Sequence, residues 1–206
     1  MSEAQPVRGT GEQRSRAADP GDRRARHSEF SSAPSLETER LVLRGFRRDD
    51  LDDHAATLAD PAVTRFLTGE PMSREDAWRR LMMSVGQWPL LGYGYWAVEL
   101  KDSGRVVGHC GFADMERAME PGISGEPEMG WIFDPGVHGQ GIAFEACAAA
   151  LNWADKELDA PSYPAIISVD NEPSIRLAQR LGFERLPDAI YRDEPVALFR
   201  RPARRG

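Results

Sequence analysis

The feature that most constrains this chain is a pair of alternate glycines placed where an apolar strand gives way to a long helix. The run Glu128-Met129-Gly130-Trp131-Ile132-Phe133 reads as a strand, and Ala143 to Leu158 reads as a helix with few breakers. Between them stands His138-Gly139-Gln140-Gly141-Ile142-Ala143, followed by Phe144-Glu145-Ala146. Glycine lets the backbone turn tightly and approach an anion closely, while a helix start offers unpaired N–H groups and a partial positive charge. The context predicts an anion-binding loop.

Spacing separates the kinds of loop this could be. A dinucleotide-binding loop of the type Gly-x-Gly-x-x-Gly needs a third glycine for close helix packing, but counting from Gly139 places Phe144 there. A P-loop needs Gly-Lys-Ser/Thr, and neither lysine nor hydroxyl follows Gly141. The remaining pattern, His138-x-x-Gly141-x-Ala143, resembles the acyl-CoA pyrophosphate loop of the GNAT acyltransferases, Gln/Arg-x-x-Gly-x-Gly/Ala, with histidine in the first place.

Three further segments extend the resemblance. Leu36-Glu37-Thr38-Glu39-Arg40-Leu41-Val42-Leu43-Arg44 is similar to the opening strand of the GNAT branch that acetylates ribosomal-protein N-termini. Asn171-Glu172-Pro173-Ser174-Ile175 ahead of Leu181-Gly182-Phe183 is similar to the family's Asn-x-x-Ser helix start and Leu-Gly-Phe ending. The order of loop, long helix, strand, short helix and last strands is also the family's. The match runs from about Leu36 to Arg201. It implies an α/β fold of the GNAT acyl-CoA N-acyltransferase type, with a mixed central sheet flanked by helices.

Composition sets the limits around that domain. A chain of 206 residues with 41% hydrophobic content holds one domain with a sizeable core and some excess. Residues 1–35 contain almost no large apolar side chain, and arginines such as Arg8, Arg14, Arg23 and Arg24 alternate with Glu3, Glu12, Asp19 and Asp22. Such a segment buries too little surface to offset its ordering entropy, so it is expected to be disordered, leaving 36–206 for the domain. The Arg23-Arg24 pair lacks the apolar region of an export signal, and no run approaches the ~20 apolar residues of a membrane helix. The expectation is a cytoplasmic protein with no membrane partner. Cys110 and Cys147 do not make a disulfide framework and are expected to be packed and reduced. A nucleophilic Cys110 beside His109 is disfavoured, because adjacent strand residues point to opposite faces. The formal net charge of −7 makes nucleic acid an unfavoured partner and would repel an anionic cofactor at long range. A CoA site must then work through local donors.

Along the chain, Asp49 or Asp50 is placed to cap a helix through about Leu58, with Asp60-Pro61 ending it. Ser73 is placed to cap a second helix carrying Trp78, Leu81, Met82 and Val85 at helical spacing. In the family these two helices wall the acceptor site, although Trp78 and the methionines Met82 and Met83 read better as packing on the sheet. Tyr93 to Leu100 and Arg105 to Ala113 read as a hairpin around Lys101-Asp102-Ser103-Gly104, Asp114 to Gly125 as a loop, and Ala165 to Val169 and Val196 to Phe199 as strands. Pro173 suits the first turn of the last helix and Gly182 its C-terminal cap.

The resemblance implies acetyl transfer from acetyl-CoA to an amine, by direct attack in a ternary complex. Pyrophosphate would rest on the backbone of Gly139, Gln140, Gly141, Ile142 and Ala143, with His138 at the edge of the loop. The pantetheine arm would pair with the main chain of Ile132 and Phe133, and Asn171 would orient it. A free alkyl amine has a pKa near ~10, so a base must take its proton, often through water. Glu128 matches a carboxylate position common in this branch and is the first candidate, with Glu126 and His109 behind it; a salt-bridged strand carboxylate is the other reading of Glu128. Many GNAT enzymes carry a tyrosine as general acid where this chain has Ala178, so the acid role falls to Ser174, for which helix capping is the other reading. No His/Cys/Asp cluster has metal-ligand spacing, so no metal is expected. The acceptor, a protein N-terminus or a small-molecule amine, stays open, as does homodimer formation. A non-catalytic acyl-CoA-binding or protein-interaction domain of the same fold is the alternative.

Overall fold

The computed structural model describes residues 32–204. The disorder expected for the leader falls largely on residues 1–31, outside the described residues. Contacts with the core begin ahead of Leu36: Ala33 packs against it, and the Pro34 carbonyl accepts a hydrogen bond from Trp96 Nε1 at 2.8 Å.

The first half of the chain builds one sheet. β1 (Leu36–Glu37), β2 (Leu41–Arg44), β3 (Tyr95–Leu100), β4 (Val106–Ala113) and β6 (Glu128–Phe133) lie in that order with antiparallel ladders. The second sheet runs β5 (Met119–Glu120), β9 (Ala189–Tyr191), β10 (Glu194–Pro202), β7 (Ser162–Ser168), and β8 (Glu184–Arg185) also pairs with β10. The expected α/β arrangement of a central sheet flanked by helices is present, with the sheet in two hydrogen-bonded parts that meet where β6 and β7 lie side by side without a ladder. That seam leaves one edge of β6 with unpaired backbone groups, and these need partners.

Helices cover both faces of the first sheet. α1 (Leu51–Ala59), the single turn α2 (Pro61–Thr64) and α3 (Arg74–Leu91) lie on one face, and α4 (Ile142–Glu157) lies on the other; α5 (Glu172–Arg180) follows β7. The main core joins α4 to both sheets, and the edge-on indoles of Trp88, Trp96 and Trp153 tie α3, β3 and α4 together. Cys110 and Cys147 are both buried there. A buried bidentate pair, Arg201 with Asp155 at 2.8 and 3.0 Å, links β10 to α4. No helix among the described residues is long and apolar enough to cross a membrane.

The strand expectations hold within a few residues, and the differences have local causes. Asp50 does not cap α1. Its carboxylate instead accepts both Arg44 Nη1 and Nη2 at 2.8 Å and the Arg47 amide at 2.6 Å, because a buried guanidinium needs that partner more than a helix start does. Asp60, expected to end α1, also caps α2 by accepting the Ala62 amide at 2.7 Å. Ser73 caps α3 as expected, but the buried stripe runs through Ala77, Leu81, Ser84 and Trp88. Met82, Met83 and Val85 are thereby turned outward and exposed, so the methionines do not pack on the sheet. The expected loop at 114–125 includes β5 and is pinned by Gly125 N–H to Asp114 Oδ2 at 3.1 Å and by buried Ile123.

Candidate acyl-donor and acceptor site

The turn between β6 and α4 is built for an open helix end. Gly139 and Gly141 have φ of +74° and +78°, a left-handed conformation that side chains disfavour. Gly141 occupies the N-cap, where Ser, Thr or Asp would cover the first amides, and no side-chain cap is present. The first amides of α4 therefore point outward unsatisfied, with the positive end of the helix dipole behind them. Arg40 and Glu145 brace the turn from outside: Arg40 Nε donates to Glu145 Oε2 at 2.7 Å, and Arg40 Nη1 donates to the Gln140 carbonyl at 2.9 Å.

This turn opens into a cleft of about 610 Å³ along the seam between the sheets. Of the residues singled out in the sequence, Ile132, Phe133, His138, Gly139, Gly141, Ala143, Asn171 and Ser174 border it. Gln140 and Ile142 do not: the Gln140 amide turns back to the Gly136 carbonyl at 2.8 Å, and Ile142 is buried in the core. His138 Nε2 lies 3.2 Å from the Phe133 carbonyl, which must accept, so that ring nitrogen carries a proton and the imidazole is folded against the strand end.

Asn171 Oδ1 accepts the Ser174 amide at 3.3 Å and so caps α5. Ser174 is more than a member of that cap, since its Oγ accepts Trp131 Nε1 at 3.3 Å. With a lone pair occupied by the indole, its own O–H is left to donate into the cleft. Ala178 is fully buried, so its position does not reach the cleft.

Three cleft arginines escaped the sequence reading. Arg65, Arg176 and Arg180 bring guanidinium groups to the cleft; Arg65 lies 4.3 Å over the Phe66 ring and Arg180 lies 3.9 Å over the Phe144 ring. They supply local positive charge on a chain of net charge −7. The signal was present in Arg176 and Arg180, four apart on an amphipathic helix, but nothing in the sequence brings α2 to the same cleft.

The face of β6 that carries Ile132, Gly130 and Glu128 holds a second cluster, which meets the cleft at Ile132. Register places Ile132 beside His109, Gly130 beside Gly111, and Glu128 beside Ala113, with Tyr95 next to Gly111 on β3. Glu128 is buried and clasped by Arg117, whose Nε and Nη2 donate at 2.6 and 3.0 Å. Glu126, in turn, is paired with Arg200. His109 is buried among Phe46, His54 and Tyr95, and burial drives its pKa well below the usual histidine value, with His54 and Arg80 adding to the effect. The Tyr95 phenol lies over Gly130, and burial followed by the Glu128 charge raises its pKa.

Comparison with known proteins places this geometry. Residues 40–184 match the model of the acetyltransferase (GNAT) domain. An N-acetyltransferase of Bacillus licheniformis known as p20, itself uncharacterized, is 26% identical over 167 residues, covering 81% of this chain and 90% of its own. A solved GnaT-family acetyltransferase of Bordetella pertussis superposes with a TM-score of 0.72 at 29% identity, covering 82% of this chain and 99% of that one. RimL, a ribosomal L7/L12 α-N-protein acetyltransferase solved in complex with coenzyme A, shares the fold with a TM-score of 0.65 at 16% identity, covering 82% and 98%. An anion-ready glycine turn opening on a seam between two sheets, within a domain that the family model spans, makes this chain a member of the GNAT acetyltransferase family and an acyltransferase.

Proposed function

We propose that the protein transfers the acetyl group of acetyl-CoA to a primary amine, that of a protein N-terminus or of a small molecule. The observation that carries this reading is the capless, glycine-lined start of α4 opening on the same cleft as the unpaired edge of β6. The amides from Gly139 to Ala143 suit a pyrophosphate, and the β6 edge at Ile132 and Phe133 suits an amide-bearing arm, which would complete the strand's backbone pairing.

In the transfer, the amine nitrogen attacks the thioester carbon, the C–N bond forms, and the carbonyl pair moves onto oxygen. Collapse breaks the C–S bond, the nitrogen loses one proton, and the sulfur gains one. Ser174 is suited to the second proton, because its hydroxyl oxygen accepts from Trp131 and its own O–H is left to donate, while Asn171 holds the Ser174 backbone amide. Glu128 is the carboxylate on the acceptor face of β6. Arg117 holds both of its oxygens in place, which suits the carboxylate to attracting an ammonium and passing its proton through water to solvent.

Calorimetric titration with acetyl-CoA tests the donor half, with Gly141→Trp as a folded control that blocks the turn. Thiol release in the presence of N-terminal peptides, polyamines and simple amines tests the acceptor half. Micromolar binding lost in the control, together with amine-dependent thiol release, is expected. No binding by the wild type would overturn the reading.

A further inference from the structure

We infer that the Tyr95 hydroxyl is a catalytic hydrogen-bond donor to the acyl oxygen, a role that rests on the acetyl-CoA reading of the cleft. The inference begins with two glycines. Tyr95 reaches from β3 across Gly111 on β4 to Gly130 on β6, and these three positions are in register on one face of the sheet. A methyl at Gly130 would stand 2.5 Å from the Tyr95 hydroxyl oxygen, and one at Gly111 would stand 2.7 Å from the Tyr95 Cα. Gly130 must lack a side chain for the phenol to lie where it does, and Gly111 must lack one for the β3 backbone at Gly94 and Tyr95 to pass so close.

The place it reaches is informative. Gly130 is two residues ahead of Ile132 on β6, whose other side is the open edge on the cleft, and both Gly130 and Tyr95 keep partial exposure. Among the described residues no hydrogen bond ties the phenol down, although Glu128 and Arg117 stand close enough to influence its charge. A donor held above a bare stretch of strand is what a developing oxyanion requires.

Chemistry separates the possible roles. Burial and the Glu128 charge push the phenol pKa up, so Tyr95 holds its proton throughout the pH range of the reaction. A group that holds its proton so firmly is a poor acid toward a departing thiolate and a steady donor toward oxygen. The carbonyl pair moves onto oxygen while the phenol hydrogen stays on Tyr95, and no proton is transferred at this position. Ser174, on the Trp131 side of β6, keeps the sulfur. Tyr95 thus supplies a phenol that Ala178 does not, from a different strand and for a different atom.

The carbonyl stretch of bound acetyl-CoA, labelled with carbon-13 at the carbonyl, reports the contact directly. It is expected at lower frequency in the wild-type complex than in water. Two variants should return it toward the free value: Tyr95→Phe, which removes only the hydroxyl, and Gly130→Ala, which displaces it. In both, affinity for CoA should stay within twofold of wild type, while the preference for acetyl-CoA over CoA falls about fivefold. Where an amine acceptor supports turnover, Tyr95→Phe should lower kcat about 100-fold with KM little changed and the shape of the pH profile retained. A stretch that is unchanged in both variants, with acetyl-CoA still bound, would overturn the role of Tyr95 and leave the cofactor reading intact. Wild-type protein that binds no acetyl-CoA would overturn both together.

Discussion

Arg40 and Glu145, 105 residues apart in the chain, clasp each other at 2.7 Å across the outside of the glycine turn. Glu145 is further held by the Thr38 hydroxyl at 2.6 Å and the Arg40 amide at 2.9 Å, which keep its carboxyl below the usual range despite partial burial. Since Arg40 also bonds the Gln140 carbonyl, the pair fixes the path of the loop as well as linking the β1–β2 turn to α4. Arg40→Ala should weaken acetyl-CoA binding about tenfold, close to 1.4 kcal/mol, with only a small fall in stability because the pair is partly exposed. Calorimetry alongside urea unfolding separates the two effects, and equal losses in both would show that the clasp serves folding alone.

Stability should depend on pH through His54, which is buried against Phe46 and His109. Burial, with nearby Arg80 adding to it and Asp50 only partly opposing, lowers its pKa to about 4. The folded state therefore refuses a proton that the unfolded chain takes up near pH 6.5. Stability is full above that value, falls as the pH drops below it, and levels off near pH 4. The loss at pH 5 is about 2 kcal/mol. His109, whose pKa moves the same way, steepens the fall. Urea midpoints between pH 7.5 and 5 should drop in the wild type and drop less in His54→Leu; parallel slopes would remove His54 as the cause.

The loop and strand–helix order were legible because they are written in local chemistry. Alternate glycines have few backbone uses, and β6 was placed over Glu128–Phe133 from its pattern alone. Pro173 and Gly182 punctuate α5 in the same local way: Gly182 has φ of +89°, and the Phe183 amide returns to the Ala178 carbonyl at 3.0 Å. What stayed hidden depends on contacts between distant segments. Nothing near Arg117 says that it will clasp Glu128, nothing near Trp131 says that its indole will orient Ser174, and Tyr95 gains meaning only when register brings it over Gly130. The outward turn of Met82 and Met83 was missed because one residue of phase decides which stripe of a helix is buried.

Asp155 and Arg201 offer a test of how β10 is held on α4. Arg201 is 4% exposed, and Asp155 also accepts the Arg204 amide at 2.9 Å. Removing the carboxylate leaves a buried guanidinium without its partner, so Asp155→Ala should cost about 3–5 kcal/mol in urea unfolding. The double variant Asp155→Leu with Arg201→Met should regain most of that loss, because packed apolar groups replace a desolvated pair at little net cost. A double variant no more stable than the single one would mean that the pair is needed for the way β10 sits on α4.

Arg180 should decide how strongly salt weakens donor binding. Its guanidinium is stacked 3.9 Å over Phe144, in the first turn of α4, which fixes its direction at little entropic cost. No salt bridge within the described residues neutralises it, whereas neighbouring Arg176 is paired with Glu172 at 2.9 Å. The two arginines are therefore unequal toward a phosphate, although both line the same cleft. Arg180→Ala should weaken acetyl-CoA binding about tenfold at low salt and flatten its dependence on ionic strength, while Arg176→Ala should have a smaller effect on both. Binding measured at 20 and 300 mM salt, roughly 20 and 6 Å in Debye length, distinguishes them. If Arg180→Ala binds as the wild type does at both concentrations, the stacked guanidinium faces solvent and not the ligand.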